Sequence, residues 1–153
     1  MSGILIIGCG TPGRGDDAAG IAVARRLRER GIAASEHSGD GADLLEAWSG
    51  ADTVFLVDAV SSGAAAGTVT EWDARTAPVA GSPAGTHAFG VAEAVGLARV
   101  LGRLPASLTI IGIEAASFAH GAPLTPEVER AVESVSERLI LVYEEYSGKG
   151  RRP

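Results

Sequence analysis

Two rhythms of apolar and polar positions take turns along the chain. Ile4-Leu5-Ile6-Ile7 is apolar at every position and closed by Gly8, the pattern of a short strand covered on both faces. From Asp16 to Arg30 the period lengthens. Ile21, Ala24 and Leu27 recur at spacing three while Arg25, Arg28 and Glu29 fall off that stripe, which predicts an amphipathic helix stopped by Gly31. Ile32 to Glu36 predicts a weaker strand, and Ala42 to Trp48 a short helix. Thr53 to Val57 is a second apolar strand, ended by Asp58. Thr68 to Trp72 alternates, and its short Gly/Ala-rich link from Asp58 predicts an antiparallel edge strand. A Pro/Gly loop over Ala74 to Gly85 precedes a helix from Ala88 to Leu101 and a third apolar strand from Leu108 to Ile113. Thr125-Pro126-Glu127 reads as an N-cap followed by proline at the first helical position, with the helix running to about Tyr146.

Apolar strands interleaved with helices imply parallel pairing with helices on both faces. The expected fold is a single three-layer α/β/α domain over residues 1–146, its sheet mostly parallel with one antiparallel edge strand, followed by a short basic tail at 147–153. The 153 residues are 46% hydrophobic and 21% charged, enough for one core and too apolar for a disordered chain. No apolar run reaches the roughly 18 residues of a membrane span. Met1-Ser2-Gly3 lacks the basic region of a secretion signal, so a cytoplasmic chain is expected. A net charge of −6 opposes non-specific nucleic-acid binding. Cys9 is the only cysteine, which excludes an intrachain disulfide and a cysteine-built zinc cage.

In a parallel sheet the ligand site lies beyond the carboxyl ends of the strands, so the polar residues that follow each strand carry the chemistry. The first such segment is Gly8-Cys9-Gly10-Thr11-Pro12-Gly13-Arg14-Gly15-Asp16-Asp17. Gly8, Gly10 and Gly13 match the spacing of a dinucleotide-binding turn, with Glu36 near the place of a ribose-binding acid. Pro12 removes an amide, however, and Asp16 and Asp17 set negative charge where a phosphate would sit. The alternative is a glycine-rich turn that permits close chain approach.

Asp17, Asp58 and His87 are the more informative set. Two carboxylates and an imidazole suit a divalent transition ion with open positions, and so sparse a set suits a transient or externally supplied ion. Each alone also reads as a helix cap or a loop brace. Cys9 is a candidate nucleophile or a small buried residue, and His37 and Asp40 line the cleft or make a turn. A P-loop, a serine-hydrolase elbow and a zincin motif are all absent from the sequence.

These residues together resemble a known family. Ile4 to Gly20, with Gly8-Cys9-Gly10-Thr11 leading to Asp16-Asp17 and Gly20, is similar to the opening motif of the NiFe-hydrogenase maturation endopeptidases. Ser38 to Leu45 resembles the family's glycine-rich turn before a short helix, and Phe55 to Val60 its Asp-Ala segment. His87 stands where the family carries a histidine. Gly112 to Phe118 and Leu124 to Val128 resemble its late motifs. The resemblance implies a twisted, mostly parallel α/β/α fold and an enzyme that cuts a C-terminal extension from the hydrogenase large-subunit precursor after nickel insertion. It assigns the metal contacts, and with them the catalytic role, to Asp17, Asp58 and His87. The nickel would arrive with the precursor, and no tightly bound cofactor is expected. The expected partner is that precursor, with no nucleic acid and no membrane. Thr11 stands where the family has Asn and Ala115 where it has Pro, and Ala18-Ala19 replace its usual residues after the acids; these departures bear on which hydrogenase is served. A non-catalytic metal-sensing or chaperone module on the same fold is the alternative, and a dinucleotide-binding domain the third.

Overall fold

A computed structural model describes residues 3–76 and 86–151, without the side chains of 86–89 and 149–151. The elements run β1 (Ile4–Cys9), a 3-10 turn (Gly15–Ala18), α1 (Ala19–Glu29), β2 (Ser35–His37), α2 (Gly41–Ala47), β3 (Thr53–Val60), β4 (Val69–Asp73), α3 (Thr86–Leu101), β5 (Ser107–Glu114) and α4 (Pro126–Arg151). Five strands form one sheet in the order β2-β1-β3-β5-β4. Pairings β1–β2, β1–β3 and β3–β5 are parallel, and β4 closes the edge antiparallel to β5. The α/β/α class and the antiparallel edge strand are as the sequence pattern predicts.

Side chains alternate across the sheet and feed two cores. Ile6, Val57, Ala59, Ile111 and Ile113 face α1 and α4. Ile7, Cys9, Val54, Leu56 and Ile110 face the other way, onto Leu44 and Trp48 from the α2 side and onto Val91, Val95 and Ala98 of α3. This is why the strands read as unbroken apolar runs: both of their faces are covered.

Several boundaries differ from the predicted ones. The strand predicted at Ile32 to Glu36 begins only at Ser35. The reason is the end of α1: the Ile32 amide donates to the Leu27 carbonyl at 3.0 Å and the Gly31 amide to Arg28 at 3.0 Å, a Schellman closure in which Gly31 takes φ +80°. Ile32 therefore ends a helix and inserts its side chain into the core. The helix predicted from Asp16 opens instead as a 3-10 turn. Strand β3 runs three residues past Val57, so Asp58 lies inside it rather than after it. Helix α4 continues to Arg151, so residues 147–151 of the predicted tail are helical. Most of the predicted Pro/Gly loop, 77–85, lies outside the described residues.

Candidate functional site

The parallel strands bring their carboxyl ends to one edge, where the segments after β1, β2, β3 and β5 meet. The 3-10 turn sits directly on that edge because its contacts are backbone on backbone. A Cβ on Gly10 would fall 2.0 Å from the Asp17 carbonyl oxygen, and one on Gly20 would fall 2.3 Å from the Val57 carbonyl. Any side chain at either place would push the turn, and Asp17 with it, off the strand ends.

Asp58, near the carboxyl end of β3, is 1% exposed. Strand alternation turns it toward the α2/α3 layer, the same face as Leu56 and Cys9. Among the described residues neither of its carboxylate oxygens accepts a hydrogen bond. Burial pushes this carboxyl well above its ordinary value near 3.8. The Ala59 amide, close by but short of hydrogen-bond geometry, pulls the other way, and the Asp17 charge, a smaller effect, adds to the rise. Asp17 is likewise fully buried. Asp17 and Asp58 thus lie within electrostatic reach of one another. Cys9 joins them from β1. Burial first, and the Asp58 charge second, hold its thiol well above the usual range, so it is a core residue and not a thiolate nucleophile.

His87 lies in the first turn of α3, and its side chain is outside the described residues. One turn further on, Gly90 meets the β2–α2 turn so closely that a Cβ there would fall 2.0 Å from the Gly39 carbonyl oxygen. That contact carries the start of α3 to the same sheet edge as Asp58, on the same side of the sheet. Among the described residues no group of three or more His, Cys, Asp and Glu is placed to hold a metal.

Asp16 is the residue that the sequence reading missed. It is 0% exposed, like Asp17, but its carboxylate is saturated. Its Oδ2 accepts from the amides of Ala116 at 2.8 Å and Ser117 at 3.0 Å, and its Oδ1 from the amide of Thr125 at 2.8 Å. The Thr125 hydroxyl donates to the same carboxylate at 2.9 Å. Thr125 stands at the N-cap position of α4 as predicted, its carbonyl accepting from the Glu129 amide at 2.8 Å, and its hydroxyl serves Asp16 besides. The partners lie about a hundred positions away, so no local pattern announces them. Glu114 plays a comparable bracing role at the end of β5, accepting from the Ser62 amide at 2.8 Å and hydroxyl at 2.6 Å. Asp40 caps α2 through the amides of Ala42 and Asp43, His37 is half-buried beside Cys9, and His120 is exposed.

The dinucleotide alternative does not match this loop. The amides that would meet a pyrophosphate are spent on carbonyls: Gly15 on Ala122 at 3.1 Å, Asp16 on Ser117 at 2.8 Å and Asp17 on Arg14 at 3.2 Å. The glycines serve close chain approach.

A mostly parallel three-layer domain with buried carboxylates gathered beyond its strand ends is an α/β protein with its chemistry at the carboxyl edge of the sheet. Comparison with known families narrows the class. The sequence profile of the family described as hydrogenase maturation protease matches residues 37–141, and the chain belongs to that family of proteases. A comparison with curated proteins gave no match. Among solved structures, a hydrogenase maturating endopeptidase HybD from E. coli is 25% identical, with a TM-score of 0.81 over 95% of this chain and 94% of that one. The fold is shared as well by a NiFe-hydrogenase maturation protease HybD from Thermococcus kodakarensis, at 23% identity and a TM-score of 0.69 over 94% and 99% of the two chains. No helix among the described residues is long and apolar enough to cross a membrane.

Proposed function

We propose that this protein removes the C-terminal extension of a NiFe-hydrogenase large-subunit precursor once nickel is in place, and that Asp17, Asp58 and His87 read the nickel. The observation that carries the reading is the state of Asp58: a carboxyl 1% exposed, with no hydrogen-bond partner among the described residues and a second acid acting on it. A buried carboxylate without donors is costly unless a cation joins it. A precursor that delivers a divalent ion to this edge supplies the missing charge; a precursor without nickel leaves the two acids opposed. Discrimination between loaded and empty precursor follows from that difference, and the protein needs no resident cofactor to make it.

The acids then serve the cut in one of two ways. With the ion held between them and the precursor's own ligands, the scissile carbonyl or a water is polarised by the metal. Alternatively, the metal only anchors the precursor, and a carboxylate takes the proton from the attacking water as that water adds to the carbonyl. The same reading places the chain in the cytoplasm with the large subunit as its partner.

Incubation with nickel-loaded and nickel-free precursor tests the proposal by intact mass. A large subunit shortened only when loaded is the expected result. Binding without shortening would identify a non-catalytic chaperone, and shortening that ignores nickel would remove the metal-reading role.

A further inference from the structure

We infer that Asp16 is a positioning residue for this site: its carboxylate is the clasp that seats the turn carrying Asp17. The inference rests on the assignment of Asp17 to metal contact. The geometry is specific to a carboxylate. Three backbone amides and one hydroxyl converge on its two oxygens, from Ala116, Ser117 and Thr125. The turn is held by its backbone as well, since the Asp16 amide donates to Ser117 and the Gly15 amide to Ala122. Gly121 donates back to the Gly13 carbonyl at 2.7 Å. The segment 13–16 and the segment 116–125 are therefore zipped together, and the buried charge at their centre is the only side chain of the turn that bonds across both ends of the far segment. Asp17 follows immediately in the chain, so its placement over the ends of β1 and β3 inherits the position of that zip.

Neither an amide nor a longer acid can substitute. Asparagine has the same shape but turns one donor toward donors, so either the Ala116 and Ser117 amides or the Thr125 amide loses its acceptor. Glutamate adds a methylene to a fully buried side chain whose two oxygens are already placed against their donors. The two adjacent acids thus divide the labour: Asp16 spends its charge inside the protein so that Asp17 is presented at the edge.

The test compares Asp16→Asn, Thr125→Val and Thr125→Ser with Leu139→Ala, a core truncation in α4 at a residue 0% exposed. Outer hydrogen-bond partners of metal-contacting groups cost about 10–100-fold in affinity or activity when removed. Asp16→Asn is therefore expected to weaken binding of Ni(II) alone by about tenfold or more, and to lower kcat on loaded precursor more than it raises KM. Thr125→Val, which keeps every charge, should move both in the same direction by less, and Thr125→Ser should restore them. Leu139→Ala, assayed where it remains folded, should change neither beyond about twofold. Hydrogen exchange should show either the Ala116 and Ser117 amides or the Thr125 amide losing protection in Asp16→Asn alone. Equal losses in Asp16→Asn and Leu139→Ala would mean general destabilisation and overturn the proposal. Unchanged Ni(II) affinity with lost amide protection would overturn it too, leaving Asp16 a loop brace only. Asp17→Asn keeps the two readings apart: if it leaves Ni(II) affinity at the wild-type value, the metal assignment fails, whatever Asp16 does.

Discussion

Asp16 and Asp58 are both fully buried aspartates at the same edge of the sheet, and their surroundings are opposite. Asp16 is met by donors from three residues, while neither oxygen of Asp58 accepts a hydrogen bond among the described residues. A buried carboxylate surrounded by amides is complete, and removing it leaves those amides orphaned. A buried carboxylate without donors is incomplete, and only a proton or a cation finishes it. Burial alone therefore does not separate a satisfied acid from one that awaits a partner; the census of donors does.

The largest effect is expected on cleavage. His87→Ala and Asp58→Asn should each reduce processing of nickel-loaded precursor by about a hundredfold or more while leaving the far-ultraviolet circular dichroism unchanged. Wild-type rates from either variant would break the functional half of the comparison.

Asp16→Asn should cost stability as well as lowering cleavage. One or more donors left without an acceptor in a buried place cost about 1–3 kcal/mol each, so urea denaturation should show a loss of about that size. A stability unchanged within error would mean that the carboxylate's partners find water, and the contrast with Asp58 would collapse.

The burial of Asp58 should also show in the pH dependence of stability. Asp58 in the metal-free protein has a raised pKa, so the folded state keeps a proton that the unfolded chain releases. Its contribution to stability is complete below the ordinary value near 3.8 and is lost as pH rises toward the folded value. The slope is at most about 1.4 kcal/mol per pH unit. Glu36 and Glu71 run in the opposite sense. Hydrogen bonds from Arg25 and Arg28, and from Arg138, lower their pKa values, so their small contributions are lost as pH falls through the folded values. Subtracting the stability profile of Asp58→Asn from that of the wild type isolates the Asp58 slope. A flat difference would show that Asp58 is not desolvated in solution.

A smaller effect sharpens the placement of α3. Gly90 and Gly96 lie in the same helix, and alanine at either is favoured by helix propensity by up to about 1 kcal/mol. Gly96→Ala meets nothing within 4 Å and should raise the melting temperature. Gly90→Ala drives a Cβ into the Gly39 carbonyl and should lower it, and processing with it. Equal gains from both would move the start of α3, and His87, away from the edge. The smallest effect belongs to Glu71→Gln on the exposed β4 edge. Its ion pair with Arg138 is solvent-facing and should contribute less than about 1 kcal/mol, with no change in cleavage.

Much of the architecture was legible in the one-dimensional pattern because it rests on local periodicity. Fully apolar runs at Ile4 to Ile7, Thr53 to Val57 and Leu108 to Ile113 mark strands covered on both faces, and the spacing of Ile21, Ala24 and Leu27 marks a helix against one of those faces. Strand ends then place Asp17 and Asp58 at a common edge by topology alone. What the pattern could not carry is whatever depends on partners far along the chain. Ile32 reads as a strand residue until Leu27 and Gly31 close a helix around it. Thr125 reads as a cap and stands as one, but nothing local shows that its hydroxyl also reaches Asp16 across more than a hundred residues. Asp16 and Asp17 are the same residue type in adjacent positions, so sequence gives them the same local meaning. Only the tertiary structure decides between them, because the free energy of a buried charge is set by the donors that folding brings around it.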